Sequence, residues 1–116
     1  MNDETLRVLC LCAGWCGLCR DYRAVFDAAA AAAGAGTAFA WIDIEDDADL
    51  LDDVDVENFP TLLVARGTRL LFFGTITPQP ATLQRLIERA AAGELPAPAN
   101  DPPVDALAAR LASHTA

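Results

Sequence analysis

The distribution of apolar and polar positions divides the chain into short segments of differing period. Residues 6–12, LRVLCLC, make an apolar run too short for an ordinary helix and bounded by Ala13 and Gly14, which predicts a strand. From Cys16 to Ala33 the period changes: Tyr22, Val25, Phe26 and Ala29 recur at helical spacing, the alanine run has high helix propensity, and Gly34 offers a stop. TAFAWIDI, residues 37–44, is rich in aromatic and β-branched residues and predicts a second strand. Leu50, Leu51 and Val54 fit a short helix. In TLLVARGTRLLFFG, residues 61–74, two apolar strands flank Gly67-Thr68, where a leading glycine suits a tight hairpin turn. Pro80, Leu83, Leu86, Ile87 and Ala90 then spell an amphipathic helix that Gly93 can stop.

The resulting order is βαβ followed by ββα. A strand–helix–strand connection gives a parallel pair and a hairpin gives an antiparallel one, so an α/β fold with a four-stranded mixed sheet and flanking helices is expected. The compact domain is expected over residues 1–93. Residues 94–104, ELPAPANDPPV, carry four prolines in eleven positions and read as an extended linker. A short helix from about Asp105 to Ala112 follows, so residues 94–116 form a linker and helical tail.

Composition narrows the class. A chain of 116 residues that is 53% hydrophobic can bury a core without metal or disulfides, and no apolar run reaches the roughly 18 residues of a membrane span. The opening MNDETLRVL is acidic rather than basic and lacks a small-residue cleavage site, so no signal peptide is expected and the cytoplasm is the default compartment. A net charge of −9 disfavours nucleic acid and anionic membrane surfaces as partners. Between Glu45 and Glu57 stand eight acids and no base, but no glycine lies where a calcium loop must turn and no glutamate closes it. That run reads as a solvated face, and His114, the single histidine, as a solvated tail residue.

The chemistry is concentrated in four cysteines within ten residues, Cys10, Cys12, Cys16 and Cys19. Cys16 and Cys19 lie one turn apart at the start of a helix, so their sulfurs are within bonding reach. The positive end of that helix favours a thiolate, which makes Cys16 a nucleophile able to form a mixed disulfide that Cys19 resolves. Gly17 permits close approach and Trp15 offers a flat apolar rim. A lone C-x-x-C also serves zinc sites, and with Cys10 and Cys12 it could supply four thiolates to a metal. Strand alternation puts Cys10 and Cys12 on one face, where they can equally be small buried hydrophobes. Cys10, beneath the dithiol, is a candidate auxiliary thiol.

WCGLC opening a helix, FPTLLV some forty residues later and the glycine at 74 together resemble the thioredoxin family over roughly residues 6–92. The resemblance implies a thioredoxin-like three-layer fold, with Pro60 cis and beside Cys16, and with the Phe59 backbone pairing with an extended substrate. Trp15, Cys16, Gly17, Cys19 and Pro60 match the family's motifs position by position, and Leu18 replaces the usual proline of Cys-Gly-Pro-Cys. The implied activity is thiol–disulfide exchange through a redox-active Cys16–Cys19 disulfide, with no other cofactor and no metal. Implied partners are disulfide-containing proteins and a thioredoxin-reductase-type or glutathione electron donor, the protein being a monomer or weak homodimer. Cys10 stands where the family keeps a buried aspartate, Trp41 where it keeps a lysine, Cys12 where a tryptophan is common, and Ala24 where a proline bends the helix. Only five residues precede the first strand, so the family's usual N-terminal strand and helix are lacking and TAFAWIDI becomes an edge, which the tail or a second subunit is expected to cover. The alternative is a non-catalytic binding module of the same fold, or a cysteine-cluster metal protein.

Overall fold

A computed structural model describes residues 6–13, 17–33, 36–46, 48–51, 60–66, 69–95 and 102–114. Its elements follow the order β1 (Leu6–Cys12), α1 (Gly17–Ala32), β2 (Thr37–Asp43), α2 (Ala48–Leu51), β3 (Thr61–Arg66), β4 (Arg69–Thr75), α3 (Pro80–Ala92) and α4 (Pro102–His114). The sheet runs β2-β1-β3-β4. β1 pairs parallel with β2 and antiparallel with β3, and β3 pairs antiparallel with β4. The mixed four-stranded sheet expected from the pattern is therefore present, while the hairpin turn at Gly67-Thr68 lies outside the described residues.

Period-two alternation sorts the strands onto two covered faces. Val8, Cys10, Cys12, Leu62 and Val64 point to one side, where Tyr22 and Phe26 of α1 and Leu83, Leu86 and Ala90 of α3 close over them. Leu9, Leu11, Leu63 and Ala65 point to the other, against Leu51 of α2 and Val104, Leu107 and Ala108 of α4. β1 is buried from both sides, which is why its sequence is almost continuously apolar rather than alternating. In β4 an irregularity at Val64/Ala65 leaves Leu71 unpaired, so Leu71 and Phe72 both lean towards the α1–α3 side. Pro80 occupies the first turn of α3, and Gly93 ends it at φ 73°, a left-handed value glycine accepts without cost.

Two expectations about the tail change. The linker was expected to run to Val104, but Pro102 and Pro103 already lie in the first turn of α4, where proline's missing N–H is no loss. α4 docks by its apolar face on the sheet, and Arg110 Nη2 donates to the Leu51 carbonyl at 3.4 Å, tying it to α2. It thus covers a face of the sheet rather than the edge of β2, which the tail or a second subunit was expected to cover; among the described residues β2 has one strand neighbour, β1. Among the described residues the acidic stretch opens with a turn, in which the Asp43 carboxylate accepts from the backbone N–H groups of Glu45 at 2.8 Å and Asp46 at 3.2 Å.

Candidate functional site

Three segments converge at one end of the sheet. Cys12 ends β1, Cys19 lies in the first turn of α1, and Pro60 immediately precedes β3. The last β1–β3 pair is Leu11 with Thr61, so the antiparallel register carries on to set Pro60 beside Cys12. Cys12 and Cys19 are joined by a disulfide, with their Cα atoms 5.8 Å apart, inside the ordinary span for such a bond. Cys16 was the expected partner of Cys19, yet in this structure the partner is Cys12. The reason is local: alternation along β1 aims Cys12 at the α1 side, and a helix beginning at Gly17 lays Cys19 over the end of that strand. Cys16, Trp15 and Phe59 fall outside the described residues.

Behind the disulfide lies Cys10, buried and free. Its S–H is directed at Cys12 Sγ, 3.9 Å away. Burial pushes the Cys10 thiol up to about 12, against a smaller opposing pull from the positive charge of Arg23, so it stays neutral at physiological pH. Tyr22, also buried, has its phenol raised first by burial and then by the neighbouring Cys10 charge. The Tyr22 hydroxyl has no hydrogen-bond partner among the described residues. Across the sheet Cys10 is in register with Trp41. The Trp41 ring packs edge-on to Phe26 at 5.7 Å, and the Arg23 guanidinium lies 4.8 Å over it while its Nε pairs with Asp27 at 3.3 Å. Positions at which the family resemblance leads one to expect an acid and a lysine thus hold a neutral thiol and an aromatic ring.

The remaining candidate residues rim the site. Pro60 is fully buried and its carbonyl accepts from the Ile76 N–H at 3.3 Å, anchoring the start of β3 to the chain beyond β4. Next to it the Thr61 side chain is buried, its hydroxyl 3.4 Å from that of Thr75. Gly17 is exposed, and a methyl group there would meet only the end of Arg20 at 3.8 Å. Leu18 is the one large hydrophobic side chain among the described residues left open to solvent, at 41%. Two thiols of the cluster are consumed by the disulfide, and among the described residues no group of three or more His, Cys, Asp or Glu side chains is placed to hold a metal ion. Sequence reasoning missed Cys12 as a bonding partner, although the shared face of Cys10 and Cys12 was the signal that could have found it.

Several thioredoxins of known structure share this architecture. The germline-specific thioredoxin Deadhead of Drosophila melanogaster superposes with a TM-score of 0.67 at 23% identity, over 76% of this chain and 83% of that one. Fasciola hepatica thioredoxin gives 0.68 at 23% identity over 76% and 83% of the two chains. Trypanosoma brucei brucei thioredoxin gives 0.66 at 23% identity over 79% and 80%. No curated protein matches the sequence. The family model described as Thioredoxin, however, matches residues 1–88, the stretch that holds β1, the cysteine cluster, Pro60 and most of α3, and on that match this chain belongs to the thioredoxin family.

Proposed function

We propose that the protein is a thiol–disulfide oxidoreductase that reduces disulfides in other proteins, with Cys16 as nucleophile and Cys19 as resolving thiol. The Cys16 thiolate attacks a substrate disulfide, one substrate sulfur leaves as a thiolate and a mixed disulfide remains. Cys19 then attacks the Cys16 sulfur, closing Cys16–Cys19 and releasing the second substrate thiol. The observation that carries the reading is the disulfide at Cys19. A cysteine at the start of α1 that bonds a neighbour supports a redox role for that sulfur, and its 1% exposure suits it to resolve a bound intermediate rather than to meet a substrate first. Leu18, exposed beside it, together with Trp15, Gly17, Phe59 and a cis Pro60, would form the docking edge for an extended substrate.

With a neutral thiol at position 10 and a tryptophan at 41, no carboxylate–lysine pair carries protons to the leaving thiolate, and water or a thiol takes that part. The proposed electron donor is a thioredoxin-reductase-type enzyme or glutathione, in the cytoplasm; among the described residues no helix is long and apolar enough to cross a membrane. Insulin precipitation driven by dithiothreitol tests the proposal. The wild-type protein should shorten the lag and a Cys16→Ser variant should not. A wild-type protein no faster than dithiothreitol alone would leave a non-catalytic binding module as the reading.

A further inference from the structure

We infer that Cys12 is a third redox-active thiol that exchanges with Cys16 for Cys19, so that the oxidised protein holds its disulfide in either of two places. The inference rests on the proposed role of Cys16 and adds a residue to it. Cys12 and Cys19 are both buried at the junction of β1 and α1, and their bond joins the last residue of a strand to the first turn of the helix packed on it. Sequence spacing puts Cys16 one turn before Cys19. Cys19 therefore has one partner beneath it, Cys12, and another three residues before it in the sequence, Cys16, and it can bond only one at a time.

The exchange balances without an outside reagent. The Cys16 thiolate attacks Cys19 Sγ; the Cys16–Cys19 bond forms, the Cys12–Cys19 bond breaks, and the Cys12 sulfur leaves with the electron pair as a thiolate. The proton Cys16 gave up is matched by the one Cys12 takes, and no electron is gained or lost. Cys10 is positioned to assist, because its neutral S–H points at Cys12 Sγ from 3.9 Å and can donate to the departing thiolate. Among the apolar side chains of this core, Val8, Leu62 and Val64 included, that donor favours an anion on Cys12. Closure of Cys12–Cys19 also withdraws the resolving thiol. A mixed disulfide formed at Cys16 in that state persists, and Cys12 thereby sets how long the protein retains a bound partner.

The test maps disulfides in the full chain equilibrated with glutathione and glutathione disulfide at graded ratios, then blocked with an alkylating agent. All four cysteines fall between Arg7 and Arg20, so trypsin leaves them on one fragment, whereas chymotryptic cleavage after Trp15 separates Cys12 from Cys16 and Cys19. Mass spectrometry of the linked fragments should find both Cys12–Cys19 and Cys16–Cys19, their total rising with the share of glutathione disulfide while their mutual proportion stays constant, as a redox-neutral exchange requires. A Cys16→Ser variant keeps three thiols and should lose two of them on oxidation, leaving Cys10. A Cys12→Ser variant should show Cys16–Cys19 alone and release a glutathione adduct at Cys16 faster than wild type. Either disulfide alone at every ratio, or a Cys16→Ser variant that keeps all three thiols, overturns the exchange. Both readouts use proteins that need no substitution at Cys12, so a poorly folded Cys12→Ser variant leaves the test intact. Insulin reduction by the wild-type protein reports separately on the proposed function.

Discussion

Replacing Leu107 by alanine measures whether α4 belongs to the core. Leu107 is fully buried, packed with Val104 and Ala108 of α4 among Leu9, Leu11, Leu63 and Ala65 of the sheet. The change deletes three buried carbons, worth roughly 0.8 kcal/mol each in transfer, or about 2.4 kcal/mol together. The cavity left behind adds to this, and Leu→Ala changes in rigid cores reach about 5 kcal/mol. α4 is held from one side only, so it can settle partly into the space, and the expected loss is about 3 kcal/mol. With a urea slope of about 1.5 kcal/mol per molar, the unfolding midpoint should fall by about 2 M. Ala106, exposed on the same helix, supplies the control: Ala106→Ser should cost less than about 0.5 kcal/mol. Urea titration followed by circular dichroism reads both. A Leu107→Ala variant as stable as that control would refute the packing of α4 on the sheet.

Two further outcomes concern the groups behind the disulfide. The Cys10 thiol is raised by burial to about 12, so between about pH 9 and pH 12 the unfolded chain gives up a proton that the folded one keeps, and stability, fully present below pH 9, should fall as pH rises through that window. One group contributes a slope of at most about 1.4 kcal/mol per pH unit; Cys10→Ala should flatten the curve measured by denaturant titration between pH 9 and 10, and an unchanged slope would count against the buried neutral thiol. Tyr22→Phe removes a buried hydroxyl that lacks a partner among the described residues, so thermal unfolding should show stability unchanged or raised by up to about 1 kcal/mol, and a loss above about 1 kcal/mol would reveal a hydrogen bond to the Tyr22 hydroxyl.

Much of this fold is legible as pattern because its elements obey local rules. The apolar run at 6–12, the helical period from Tyr22 to Ala29 and the Pro80-to-Gly93 punctuation each coincide with an observed element within one or two residues. α4 was less legible. Four prolines in eleven residues look like a linker, and only the packing of Val104 on the sheet reveals that the last two open a helix. The cysteine cluster was readable as redox chemistry, but the partner of Cys19 was not. A pair within one helical turn is visible in sequence spacing, whereas a bond between a strand end and a helix start depends on how the two elements stack. The place of the tail was likewise not legible, because a strand edge shows in the order of elements whereas an uncovered sheet face shows only once the strands are assembled, and burying the face removes far more apolar surface from water.

The placement of α4 has a consequence for how the protein comes to be folded. Its second hydrophobic layer is completed by residues nearly a hundred positions after the first strand they cover. While the chain is still being synthesised, Leu9, Leu11 and Leu63 have their sheet partners but no lid, and a growing chain in that condition is sticky. Final closure waits for the ribosome to deliver Val104 through Ala108, so assembly of this domain is a late event with a distant contact, slower than the helical hairpins of its own size.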